Sequence, residues 1–161
     1  MPNALSVGLG EMIISRNAED VLVAFGLGSC LGIGMYDRRV MVAGMVHAVL
    51  PQRDNGGDPL SPKYVDSGLD ALLKAMHEAG AQRDSLILRV AGGANMLVAP
   101  GMSSFMNIGE RNAAVFAAKV VTLNLAVQAH DLGGHVGRTV RLYVANGRLT
   151  VRSMGQPERD L

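Results

Sequence analysis

"FGLGSCLGIGMYDRRVMVAGMVHAVLPQ", Phe25 to Gln52, decides how this chain folds and where its chemistry sits. Two apolar runs flank Asp37-Arg38-Arg39, the one polar interruption, and read as an antiparallel hairpin. From Cys30 the first run alternates: Cys30, Gly32 and Gly34 fall on one face, Leu31, Ile33 and Met35 on the other. "VMVAGMVHAVL" supplies the returning strand. With Arg38 and Arg39 as a two-residue turn, Asp37 pairs with Val40 and Cys30 lies directly opposite His47. Opposed residues share a face with Cβ atoms about 4.5–5.5 Å apart, and a slip of one pair leaves them diagonal neighbours.

That register brings a thiol to an imidazole. A free thiol is mostly protonated at neutral pH; a neighbouring imidazole can take its proton and stabilise the thiolate. Gly26, Gly28, Gly32 and Gly34 then read as clearing the thiol's face for a substrate. Backbone N–H groups from Gly28 through Ser29 to Leu31 read as donors to a developing oxyanion. The arrangement suits acyl transfer, with Cys30 attacking an amide carbon and His47 protonating the leaving amine. A lone cysteine in an apolar run is more often a small buried hydrophobe, and a lone histidine a satisfied core residue. Their shared face gives the catalytic reading its weight.

Working outward, Ser61, Pro62 and Gly80 frame a helix in "SPKYVDSGLDALLKAMHEAG", with Ser61 as N-cap and Gly80 as its stop. Asn107 and Glu110 form a capping box that opens a second helix. Its apolar pattern extends through His130 to a stop at Asp131–Gly134 and predicts a deeply placed element. "LILRVA" reads as a strand, and "TVRLYVANGRLTVRS" as a hairpin about Asn146-Gly147, with Val140, Leu142 and Val144 inward. Leu5–Leu9 and Met12–Ser15 are further strand candidates. The loops 51–61 and 98–107 read as mobile. Hairpins with two separated helices predict one α+β domain over residues 1–161.

Composition sets the outer bounds. The chain has 161 residues, 48% of them hydrophobic and 18% charged, with net charge +1, which describes a globular domain and not a disordered segment. Neither a basic patch nor stacking aromatics point to nucleic acid. No stretch has the length of a membrane span or the pattern of a signal peptide, and one cysteine suits a reducing compartment, so a cytoplasmic protein without membrane insertion is expected. "GLGSCLG" lacks the last glycine of a dinucleotide fingerprint and leads into a strand, so no nucleotide cofactor is expected. His77, His130 and His135 have no partners at metal-ligand spacing, so no metal is expected either. "GGANM", "NIGERN" and "DLGGHVGR" read as glycine-rich turns and caps. A substrate-facing role for Asn95 or Asn112 is left open.

These residues carry a resemblance. The cysteine in "FGLGSC", Tyr36-Asp37, Gly44 to Pro51, "KYVDSGLDALL", "GGANM", "IGERN", "GGHVGR" and "VANGRLTV" occur in the order of the CheD family, chemoreceptor glutamine deamidases of chemotaxis. The resemblance spans nearly the whole chain. It implies Cys30 as nucleophile and His47 as general base and acid. Methyl-accepting chemoreceptor cytoplasmic helices are the implied substrates, and the CheC phosphatase an implied partner. It also implies a layered α/β/β/α fold with mixed and antiparallel sheets, similar to the catalytic domain of cytotoxic necrotizing factor. At one position the chain departs from the family: Ala24 stands where a threonine, six residues before the cysteine, would orient the histidine. "RVAGG" likewise places Arg89 and Ala91 where the family has lysine and phenylalanine. The alternative is a non-catalytic adaptor that engages chemoreceptors or CheC without turnover.

Overall fold

The computed structural model describes residues 2–96 and 107–161. Apart from Asn107, the loop expected at 98–107 lies outside the described residues. Before the first helix come β1 (Asn3–Ser6), β2 (Met12–Ser15), β3 (Asp20–Leu27), β4 (Leu31–Asp37) and β5 (Val42–Ala48). Then follow α1 (Val65–Glu78), β6 (Leu86–Gly92), α2 (Ile108–Thr122), β7 (Ala129–Leu132), β8 (Arg138–Tyr143), β9 (Leu149–Ser153) and β10 (Arg159–Asp160). They form two five-stranded sheets, ordered β1-β3-β8-β9-β10 and β2-β5-β4-β6-β7. The pairs β1–β3 and β6–β7 are parallel and the other pairs antiparallel. Both sheets are therefore mixed, and the α+β class holds.

The layering differs from α/β/β/α. Helices α1 and α2 touch each other and both rest on the sheet containing β4 and β5, so the described residues stack as α/β/β. One core lies between helices and sheet, with Leu31, Ile33 and Met35 facing Leu69, Leu72 and Phe116. The second lies between the sheets, where Leu22, Ala24, Leu27 and Leu142 of one meet Tyr36 and Met45 of the other. The β4–β5 pair is thus buried on both faces, and every residue of both strands is buried.

Helix α1 opens at Val65, not at Pro62. The Lys63 carbonyl accepts from the N–H groups of Val49 and Leu50, and Tyr64, extended, bridges Leu50, so residues 62–64 are tied to the exit of β5 before the helix begins. Ser61 is consequently not the cap: Tyr64 occupies that position without a side-chain bond. Gly80 does stop the helix, at φ +102°, with the Ala81 N–H returning to the Met76 carbonyl. Helix α2 keeps its Asn107 cap, whose side-chain oxygen accepts from the Glu110 N–H at 3.0 Å. It ends at Thr122, however, and Asn124 turns the chain at φ +54° into β7, which completes the open edge of β6. The helix is not deeply placed either: Gly109, Asn112, Phe116 and Val120 are buried on one stripe, while Val121 is 78% exposed. The β8–β9 hairpin forms as expected. Strand β3 has no clear counterpart in the pattern, because most of it is buried on both faces and does not alternate.

Candidate functional site

The two strands that carry Cys30 and His47 pair in a register one step from the expected one. Met41 adopts φ +52°, the turn takes in residues 38–41, and Asp37 pairs with Val42 instead of Val40. His47 therefore faces Gly32, and Cys30, immediately before β4, is its diagonal neighbour on the same face. Diagonal neighbours sit about 7–8 Å apart at the backbone, within reach of an imidazole. Cys30 keeps 8% of its surface exposed and His47 2%.

The loop before Cys30 is held by its carbonyls. Gly28 accepts from the Ala94 N–H at 2.8 Å, Ser29 from the Asn112 side-chain amide at 2.8 Å, and Cys30 from the Gly93 N–H at 3.0 Å. "GGANM" and "IGERN" make this possible by close approach: Gly92 lies at φ +122°, and a Cβ there would run into the Cys30 carbonyl. The N–H groups of Gly28, Ser29 and Cys30 donate to no carbonyl among the described residues. Leu31 is different. Since Cys30 bonds toward β6, alternation turns the Leu31 N–H toward Ala48 in the sheet, and its side chain lies in the helix-facing core. The expected donor set at 28–31 thus narrows to Gly28, Ser29 and Cys30.

The imidazole is oriented by the backbone. His47 Nδ1 lies 2.9 Å from the Val7 carbonyl, which can only accept, so Nδ1 carries a proton. The segment Val7–Glu11 is itself fixed across His47: Glu11 accepts the His47 N–H and Gly10 donates to the His47 carbonyl. Ala24, buried in the inter-sheet core, offers no hydroxyl, and the ring's partner is the Val7 carbonyl. Nε2 is buried and has no hydrogen-bond partner among the described residues, the Cys30 thiol included. Burial pushes the thiol above its ordinary range, an effect only partly offset by its own backbone N–H. Burial thus favours the neutral thiol, beside an imidazole nitrogen that has no partner among the described residues.

The glycines of β4 serve packing. A Cβ at Gly32 would sit 2.9 Å from Leu27 Cδ1, and one at Gly34 2.9 Å from Leu149 Cδ1, so the second sheet covers that face. That face leaves no room for a substrate. Open space begins at Gly26, which bends β3 at φ +62° with nothing near a Cβ, and at a cleft of about 130 Å³ lined by Ser29, Ala94, Asn95, Met96, Asn107, Ile108 and Gly109. Sequence reasoning missed Val7, whose role is a carbonyl and leaves no side-chain signal, and the bonds of Asn112. Arg138 pairs with Asp131 at 3.2 Å. Among the described residues no three His, Cys, Asp or Glu side chains converge as metal ligands, and no helix is long and apolar enough to cross a membrane.

Comparison with known proteins assigns the family. The family model described as "CheD chemotactic sensory transduction" matches residues 49–153. The chain is 40% identical over 158 residues to the "Probable chemoreceptor glutamine deamidase CheD" of Symbiobacterium thermophilum, covering 97% of this chain and 96% of that protein. The chain belongs to the CheD family. The similarly named CheD of Caldanaerobacter subterraneus subsp. tengcongensis is 38% identical, over 94% of this chain and 93% of its own. The CheD of Archaeoglobus fulgidus is 35% identical, over 94% of both. The family-model match begins after His47, whereas these CheD relatives cover nearly the whole chain.

Proposed function

We propose that this CheD-family chain is a cytoplasmic protein-glutamine deamidase that converts glutamine side chains on chemoreceptor cytoplasmic helices to glutamate, using Cys30 and His47. The observation that carries it is the Val7 contact, which protonates Nδ1 and leaves Nε2 as a buried base on the face of the only thiol. The names of the relatives supply the substrate.

In this reading His47 Nε2 takes the Cys30 proton as the carboxamide approaches, and the sulfur attacks its carbon. A C–S bond forms and the carbonyl π pair moves to oxygen, which the N–H groups of Gly28, Ser29 and Cys30 receive. The imidazolium gives its proton to nitrogen, the C–N bond breaks and ammonia leaves. Water, deprotonated by Nε2, attacks the thioester; the C–S bond breaks, the thiol regains its proton, and glutamate departs. Atoms balance with water as the only co-reactant, so no cofactor is required. The likeness to the cytotoxic necrotizing factor catalytic domain belongs to the same proposal and is tested by superposition.

The test is incubation with a chemoreceptor signalling fragment, reading Gln-to-Glu conversion by mass spectrometry. Parent-like conversion by Cys30→Ala sinks the mechanism. A second reading, an adaptor that binds receptors or CheC without turnover, is favoured by Ala24 and by the lack of a hydrogen bond between the Cys30 thiol and His47 Nε2. An inert thiol with intact receptor binding supports it.

A further inference from the structure

The β4–β5 ladder ends at Leu31 and Ala48, one residue short of the position where Cys30 would pair with Val49. Cys30 and Val49 would be a non-hydrogen-bonded pair, with the Cys30 carbonyl taken by Gly93 and the Val49 N–H by Lys63, so no backbone bond joins the two strands beyond Leu31 and Ala48. One side chain spans the gap. Asn112, fully buried on α2, donates from Nδ2 to the Ser29 carbonyl at 2.8 Å and to the Val49 carbonyl at 3.1 Å. Ser29 immediately precedes the nucleophile, and Val49 follows His47 by two residues. A single planar amide therefore ties the nucleophile loop to the strand that carries the base.

We infer that Asn112 is a positioning residue: its amide bridges the Ser29 and Val49 carbonyls beyond the last rung of the ladder and holds the Cys30 loop beside the strand of His47. The inference rests on the proposed thiol chemistry. Stability alone explains the residue poorly, because Asn112 Oδ1 is buried without a partner among the described residues. Two bonds gained are offset by an acceptor left dry. What the amide supplies is geometry, at the point where the sheet opens and no backbone bond can supply it. The capped N-terminal turn of α2 and the close contact of Gly109 with the Gly93-Ala94 backbone hold the Asn112 backbone in place.

The test compares full-length parent, Asn112→Ala, His47→Ala and Val120→Ala, which loosens the same helix stripe two turns away. Two quantities are read: the rate of Cys30 alkylation by iodoacetamide against pH, and kcat and KM on a receptor fragment. In Asn112→Ala, kcat falls about a hundredfold with KM little changed, as expected of a misplacement near 1 Å. Alkylation near pH 7 falls about tenfold, equivalent to one pKa unit of lost imidazole assistance, and its pH profile becomes that of His47→Ala. Val120→Ala lowers the melting temperature but leaves both profiles alone. A folded Asn112→Ala with a parent-like alkylation profile overturns the inference, as does Val120→Ala producing the same loss. Should Asn112→Ala not fold, Asn112→Ser, which retains one donor, is judged by the same criteria. An inactive parent counts against the deamidase reading alone, since the alkylation profiles still decide the clamp.

Discussion

The two ends of β4 hold the two most instructive buried ionisable groups, and they are treated in opposite ways. At its C-terminal end Asp37 is wholly buried. Burial alone would raise its carboxyl, yet the Gln82 N–H, the Ser85 hydroxyl, and the Arg39 N–H and guanidinium together hold it below the usual carboxylate range. At the N-terminal end Cys30 is nearly as buried, with only its own N–H to help, and its thiol is pushed up. A charge surrounded by donors fastens a turn. A thiol and an imidazole nitrogen left without partners are what the proposed deamidase chemistry would use.

The comparison is broken most severely by Cys30→Ala. Deamidation should fall by at least about a thousandfold while unfolding free energy moves by no more than about 1 kcal/mol. Mass spectrometry and urea unfolding read the two quantities; a large stability loss with retained turnover would make the sulfur a core atom. Asp37→Asn should do the reverse, costing about 3 kcal/mol, because the amide NH2 that replaces one carboxylate oxygen cannot accept that oxygen's contacts and the charge is lost, with turnover per folded molecule unchanged.

The same pair separates on the pH scale. The lowered Asp37 pKa contributes stability that is present above the unfolded carboxyl value, about 4, and is lost as pH falls through the folded value. The raised Cys30 pKa contributes stability present below the unfolded thiol value, about 8.5, and lost as pH rises through the folded one. Urea midpoints across pH should therefore drop at acid pH for the parent but less for Asp37→Asn, and at alkaline pH for the parent but less for Cys30→Ala.

Smaller effects sharpen the picture of the face between these ends. Gly32→Ala should destabilise by about 1–3 kcal/mol, since its methyl meets Leu27 across the sheets. A neutral result would mean the face is open after all. Ala24→Thr, which restores the family's hydroxyl, should change kcat by less than about threefold, because the Val7 carbonyl already orients the ring. A gain of tenfold or more would show that the carbonyl does not suffice.

Much of the hairpin was legible because strand periodicity is local. The face shared by Cys30, Gly32 and Gly34, the opposite face of Leu31, Ile33 and Met35, and the β8–β9 hairpin all follow from alternation. The register slipped because a positive φ at Met41, an unbranched residue with no turn signal, lengthened the loop. The end of α2 was misplaced for a related reason: residues 123–130 have an apolar helical pattern, but the edge of β6 offered backbone partners that pattern cannot reveal. The use of Gly32 and Gly34 was misjudged because a glycine's neighbour in space is invisible along the chain.

Residue order by itself determined which side chains share a face, which turns break the chain, and that one thiol and one imidazole lie on adjoining strands. Those are consequences of bond geometry acting over a few residues. Tertiary structure alone decided that Val7 turns the imidazole, that Asn112 bridges the parted strands, and that burial pushes the thiol up. Each depends on a carbonyl, an amide or a burial brought from a distant part of the chain, and main-chain groups, being the same at every residue, leave no mark in the sequence that calls on them.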